Sequence, residues 1–191
     1  MGLFSKKNKK AILISNKYMY TNVKQDYNNN KIDICELKIQ LPSDKILTVE
    51  GTFQTKTKTM SLICFTLFYP DGTEFYNPAV QSTIDLKENY VHLDTIEVPD
   101  DLRNIGLGSI LFQEWIISVC KILHLKDLKI NRIVGEIGEG MNYTPKYSTK
   151  LYHKFNNHQI NDKKVLKLLK CDRNPNGADI RELEYVIEDI H

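Results

Sequence analysis

Several residue types that announce particular classes of protein are scarce in this sequence. Its 191 residues hold four cysteines, Cys35, Cys64, Cys120 and Cys171. They form no Cys-x-x-Cys pair and stand beside no histidine at ligand spacing, which excludes a disulfide framework and a zinc module. The expectation is a reduced, cytoplasmic chain with no metal. No uninterrupted apolar run approaches the ~18 residues of a membrane span. The start, Met1-Gly2-Leu3-Phe4-Ser5-Lys6, lacks the apolar core of a secretory signal, and Lys6 stands where myristoylation wants Ser or Thr. No excess of one charge is present either. Lys plus Arg is 26 and Asp plus Glu 24, a net charge of +2, far from the density of a dedicated nucleic-acid binder. A chain of this length, 41% hydrophobic, makes one domain with a proper core. We place it at 11–191, after a flexible basic tail at 1–10 that carries Lys6, Lys7, Lys9 and Lys10.

From 11 to 98 the texture is strand-like, with β-branched and aromatic residues in short runs broken by Asn, Asp, Gly and Pro. Residues 11–14 are a short apolar run, and Tyr27-Asn28-Asn29-Asn30 is a polar break. Residues 32–41 alternate, but their apolar parity switches near Cys35-Glu36, which predicts a bulge. Segments 45–56 and 59–69 read as neighbouring strands, and Pro70-Asp71-Gly72 supplies a turn to fold 62–69 back on 73–77. An antiparallel meander follows.

The second half changes period. A strand at 90–98 and a loop at 99–105 lead into a helix at 107–123. On that helix Ser109, Gln113, Glu114, Ser118 and Lys121 form one narrow wet stripe, while Phe112 and Trp115 belong to the core. A strand at 132–137, a glycine turn (Gly138, Gly140) and a helix at 147–155 come next. Strand, helix and strand joined by short connections predict a parallel βαβ unit. Residues 163–170 read as a helix with Val165, Leu166 and Leu169 on one side. Asn174-Pro175-Asn176-Gly177 is a turn, and 181–190 fits a strand or a helix, with strand preferred. His92 in a strand and His124 at a helix end read as structural.

The stretch that carries chemistry is Val98-Pro99-Asp100-Asp101-Leu102-Arg103-Asn104-Ile105-Gly106-Leu107-Gly108-Ser109. Two glycines flank one residue where a loop gives way to a buried helix. The helix start offers N–H groups and the positive end of the dipole, and the missing Cβ atoms let an anion approach the backbone. A Walker loop is excluded because Gly108 is followed by Ser109-Ile110, and a dinucleotide fingerprint because its third glycine would fall at Leu111. Arg103-Asn104-Ile105-Gly106-Leu107-Gly108 resembles the signature of the GNAT superfamily of acetyl-CoA-dependent N-acetyltransferases: Arg or Gln, two residues, Gly, one residue, Gly or Ala. Its setting, after a strand and ahead of a long apolar helix, is similar too.

The resemblance covers residues 90–157 and implies an α/β (α+β) fold. This is a GNAT-like mixed sheet with an N-terminal antiparallel meander followed by a βαβ unit with a splayed central strand pair. It implies acetyl-CoA as cosubstrate and an amine acceptor, small molecule or protein, attacked directly without an acetyl-enzyme. No specific nucleic acid and no membrane span are expected, and a homodimer is left open. Ile96, Glu97 and Val98 would pair with the pantetheine arm, and Arg103, Asn104, Ile105, Gly106, Leu107, Gly108 and Ser109 would hold the pyrophosphate. Tyr152 occupies the family's acid position, and Glu97 and Glu136 are the carboxylates suited to act as base. The sequence departs from the family at His153-Lys154-Phe155-Asn156-Asn157, where Gly-Phe is usual, and at Pro145, where the family often has Asn. It also lacks a pair of amphipathic helices in its N-terminal half. Those departures keep open an alternative, a non-catalytic CoA-binding or protein-interaction domain of the same fold.

Overall fold

The computed structural model describes residues 10–25, 30–137, 145–173 and 181–189. The tail at 1–9, the break at 26–29, the turn at 138–140 and the turn at 174–177 lie outside them. In chain order the elements are β1 (Ile12–Tyr18), a 3-10 turn (Tyr20–Gln25), β2 (Lys31–Gln40), β3 (Ile46–Thr55), β4 (Met60–Phe68), β5 (Val80–Asp85) and β6 (Tyr90–Ile96). A second 3-10 turn (Asp100–Leu102), α1 (Leu107–Leu125), β7 (Arg132–Ile137), α2 (Pro145–Lys154), β8 (His158–Asn161), β9 (Lys164–Arg173) and β10 (Arg181–Asp189) complete it. The strands form one sheet in the order β1-β2-β3-β4-β5-β6-β7-β10-β9-β8. Every described pairing is antiparallel except β6 with β7. α1 is the crossover that a parallel pair requires. Meander, βαβ unit and strand preference at 181–190 therefore stand as expected, as does the bulge, found where β2 shifts register against β3 between Asp33 and Cys35.

Period-two alternation builds the core on one face of the sheet. In β5, Val80, Ser82 and Ile84 are buried while Gln81, Thr83 and Asp85 are not. α1 lies over that face with Leu111, Phe112, Trp115, Ile116, Val119 and Ile122 fully buried. The Trp115 indole N–H donates to Ser82 Oγ at 2.8 Å, both groups being buried, so the one polar atom of the largest core side chain is satisfied.

Three expectations are corrected. Glu114 and Ser118 are not part of a wet stripe: both are buried, because β1 and the turn after it cover that side of α1. The Tyr18 hydroxyl donates to Glu114 Oε2 at 2.6 Å, and the Tyr20 and Ser118 hydroxyls share a hydrogen bond of 3.0 Å. Residues 163–170 are not a helix. Pairing of β9 with β10 and β8 overrides the Leu and Lys helix preference and puts Leu166 inside and Leu169 outside. Residues 73–77 do fold back on the end of β4 as expected: the Gly72 N–H is on the Tyr69 carbonyl at 2.9 Å, the Tyr69 N–H on the Thr73 carbonyl and the Phe75 N–H on the Leu67 carbonyl at 2.8 Å, with an antiparallel bridge of Phe68 and Glu74, while the ladder of β4 is with β5. Finally, α1 is itself long and apolar enough to cross a membrane, which a count of uninterrupted apolar residues passes over. Here it is the core helix.

Candidate functional site

β6 and β7 run side by side for three pairs only, Val91 with Ile133, His92 with Val134 and Leu93 with Gly135. β6 then continues to Ile96 and β7 to Ile137 without pairing with each other. The strands fork because β6 stays with β5: Thr95 and Ile96 pair with Gln81 and Val80, and the Glu97 N–H donates to the Ala79 carbonyl at 2.8 Å. A bulge opposite Gln81 and Ser82, with Asp94 as the extra residue, turns β6 at the fork. Gly135 closes the last pair, since a Cβ there would stand 3.2 Å from the Leu93 carbonyl oxygen. Main-chain groups alternate along a strand, so Glu97 faces β5 and Ile96 and Val98 face the gap. The main chain that borders the gap is narrower than the sequence-based trio by the Glu97 amide.

The gap leads to the glycine loop. Pro99 opens the 3-10 turn, the Arg103 guanidinium pairs with Asp100 Oδ1 at 2.7 Å, and Arg103 Nε donates to the Val98 carbonyl at 3.3 Å. Arg103 thus braces the loop. The Ile105 carbonyl accepts the Ala11 N–H at 2.7 Å, which ties the loop to the start of β1. Asn104 (φ 64) and Gly106 (φ 89) are both left-handed, and Gly106 is the N-cap of α1. Its carbonyl takes the Ser109 and Ile110 amides at 3.1 and 3.3 Å. The Leu107 and Gly108 amides belong to the turn of a helix that has no intrahelical acceptor. Among the described residues, nothing lies within 4 Å of a Cβ built on Gly106. Left-handed backbone, first-turn amides, dipole and open space together fit an anion.

α2 packs over this loop. Leu151 Cδ2 lies 4.0 Å from a Cβ built on Gly108, and Val98 Cγ2 lies 3.4 Å from it. The next residue, Tyr152, is 4% exposed, with its ring edge-on to Phe112 at 5.8 Å, and its carbonyl accepts the Tyr185 hydroxyl at 2.6 Å. Burial pushes the Tyr185 phenol far up, which keeps it a donor there. Glu97 accepts from Asn77 Nδ2 at 2.9 Å, and Glu136 is exposed, in register with Glu182 of β10. Glu97, directly after β6, and Glu136, in β7, thus belong to the two strand segments that diverge at the fork, whereas Tyr152 is packed on Phe112 and bonded through its carbonyl to Tyr185.

The fork also gathers residues that the sequence reading set aside. His92 Nδ1 lies 2.7 Å from Asp94 Oδ1, and the Thr83 hydroxyl of β5 donates to Asp94 Oδ2 at 2.9 Å. A His-x-Asp spacing inside a strand is the signal that was available, since residues two apart share a face. The cysteines lie elsewhere. Cys35 is buried under the Gly51 backbone and its thiol is pushed up to about 12 by that burial, and burial also raises Cys120 to about 11. Among the described residues no group of three or more His, Cys, Asp or Glu side chains is placed to hold a metal.

No family model matches the chain and no curated protein matches it. Among solved structures it is similar to the ribosomal-protein-S18-alanine N-acetyltransferase from Escherichia coli, at 14% identity over 71% of this chain and 72% of that one, with a TM-score of 0.36. It is similar to a protein from Desulfovibrio desulfuricans described as a GNAT-family acetyltransferase, at 14% identity over 68% and 69%, TM-score 0.35. A third is nourseothricin acetyltransferase, at 11% identity over 94% and 98%, TM-score 0.37.

Proposed function

We propose that this chain is an acetyl-CoA-dependent N-acetyltransferase that passes an acetyl group directly from the thioester to an amine. The observation that carries the reading is the fork: pairing of β6 with β7 stops at Leu93 and Gly135, and the gap runs to the left-handed Gly106 loop. An extended pantetheine arm fits such a gap, bonded to the main chain of Ile96 and Val98, with its pyrophosphate on the helix-start amides. Tyr152 is the proposed acid for the departing thiolate. Glu97 and Glu136, on the two diverging strand segments, are the carboxylates put forward as base for a cationic amine.

Calorimetric titration with acetyl-CoA tests this, with adenosine bisphosphate lacking the pantetheine arm as control. Saturable binding of acetyl-CoA, weaker for the control, is expected. Folded protein that binds neither would reduce the loop to a helix start. One observation favours a second reading, CoA binding without turnover. Between β1 and β2 the described residues hold a single 3-10 turn, Tyr20–Gln25, and not the helices with which the resembled family frames its acceptor. Release of free CoA thiol in the presence of amines separates the two.

A further inference from the structure

We propose that His92 is the residue that takes the proton from the attacking amine, with Asp94 as its positioning residue. The proposal rests on the N-acetyltransferase reading and assigns within it a group that neither glutamate supplies. A carboxylate only accepts hydrogen bonds, so Asp94 takes one from the Thr83 hydroxyl at Oδ2 and one from His92 Nδ1 at Oδ1. The imidazole proton is therefore on Nδ1, and the lone pair is on Nε2. His92 and Asp94 side chains are 34% and 25% exposed, open enough to meet a substrate and held enough to keep one orientation.

Strand geometry then locates the thioester. An arm anchored at the glycine loop and laid along β6 runs back from Val98 to Leu93, five residues at about 3.3 Å each, or about 16 Å, a length that an extended pantetheine arm matches. Its reactive end arrives where β6 and β7 rejoin, between His92 and the bulge residue Asp94. Glu97 lies four residues, or about 13 Å, towards the loop from Leu93 and is engaged by Asn77. Glu136 is at the fork but exposed. An ammonium acceptor gives one proton to His92 Nε2 and becomes the nucleophile, and its nitrogen lone pair forms the C–N bond. The C–S bond then breaks, the second nitrogen proton ends on the leaving thiolate by way of Tyr152, and the imidazolium releases its proton to water.

Bromoacetyl-CoA tests this without an identified acceptor, because its electrophilic carbon takes the place of the acetyl methyl. Alkylation of the wild-type protein is mapped by peptide mass spectrometry. The expected result is saturable labelling of His92, suppressed by acetyl-CoA and about tenfold or more faster than with bromoacetamide at equal concentration, as proximity requires. His92→Gln should lose that label. Asp94→Asn should slow it at saturating reagent while leaving half-saturation unchanged, a split that general loosening would not produce. Saturable binding with the label elsewhere, or with no label, overturns the role of His92 and leaves the acetyltransferase reading standing. No saturable binding of either thioester overturns both.

Discussion

Gly106 separates a glycine needed by the fold from one needed by a ligand. Its φ of 89° lies in the left-handed region, and a Cβ there would meet no described residue within 4 Å. Gly106→Ala therefore carries only backbone strain, about 1–2 kcal/mol. In a domain of this size 1 kcal/mol moves Tm by about 2–4 °C, so a fall of roughly 2–8 °C is expected. Gly108 differs. It lies inside α1 with no positive φ, and an added Cβ makes ordinary contact with Val98 and Leu151 at 3.4 and 4.0 Å. Gly108→Ala should therefore leave Tm unchanged or raise it, as Ala exceeds Gly in helix propensity by about 1 kcal/mol. The cofactor discriminates further. The space beside Gly106 is where the anion would sit, so Gly106→Ala should weaken acetyl-CoA binding about tenfold or more, equivalent to about 1.4 kcal/mol. Gly106→Glu, which places a carboxylate there, should abolish it, while Gly108→Ala retains it. Scanning calorimetry and titration calorimetry on the three variants read both effects. Wild-type affinity in folded Gly106→Glu would refute the loop as an anion site, and an unchanged Tm in Gly106→Ala would refute the strain argument.

Three further outcomes follow from packing. Gly51→Ala would bring a Cβ to 2.4 Å from Cys35 Sγ and 2.9 Å from Phe65 Cε1, overpacking that should destabilise by about 1–3 kcal/mol in urea unfolding. Adding Cys35→Ala should restore most of it, and strictly additive losses would contradict the contact. Ser82→Ala leaves the buried Trp115 N–H without its acceptor and should lower stability by about 1–3 kcal/mol, followed through the single tryptophan's fluorescence; an unmoved midpoint would count against that bond. Burial raises the Glu114 carboxyl above its ordinary 4.5 despite the opposing hydrogen bond from Tyr18, so the folded state binds this proton more tightly than the unfolded chain. Its contribution is then present in acid and lost as pH rises from the unfolded value through the folded one. Glu114→Gln should be the more stable protein at neutral pH, with the gap closing in acid. Equal pH slopes for the two proteins in urea titrations would show that Glu114 is not perturbed.

The parts of the fold that were legible in the sequence are those decided by local chemistry. Alternation in 32–41 survives in β2 with its bulge, the apolar face of α1 buries where its period places it, and 132–137 is a strand in which the β-branched Ile133, Val134 and Ile137 favour extended backbone. Where the reading failed, a distant segment decided. Glu114 and Ser118 have the spacing of an exposed stripe and are buried only because Tyr18 and Tyr20, some 96 and 98 residues away, bring hydroxyls to them. Residues 163–170 carry a helical pattern, yet 164–170 lie in β9 because β10 and β8 offer ladders on both sides.

The site divides along the same line. The glycine loop was legible because its demands are local: a left-handed N-cap, first-turn amides and a residue able to brace the turn all lie within Pro99 to Ser109. The fork was legible only through the family resemblance, since whether β6 follows β5 or β7 depends on competing ladders that no short spacing encodes. That competition is settled by the bulge at Asp94, which keeps β6 registered on β5 while β7 goes on to pair with β10. One extra residue thus opens the gap and puts a carboxylate beside His92 at its inner end. The isolated histidine of the sequence is in this way paired in the fold with Asp94, and the irregularity that pairs them lies where the proposed thioester would end.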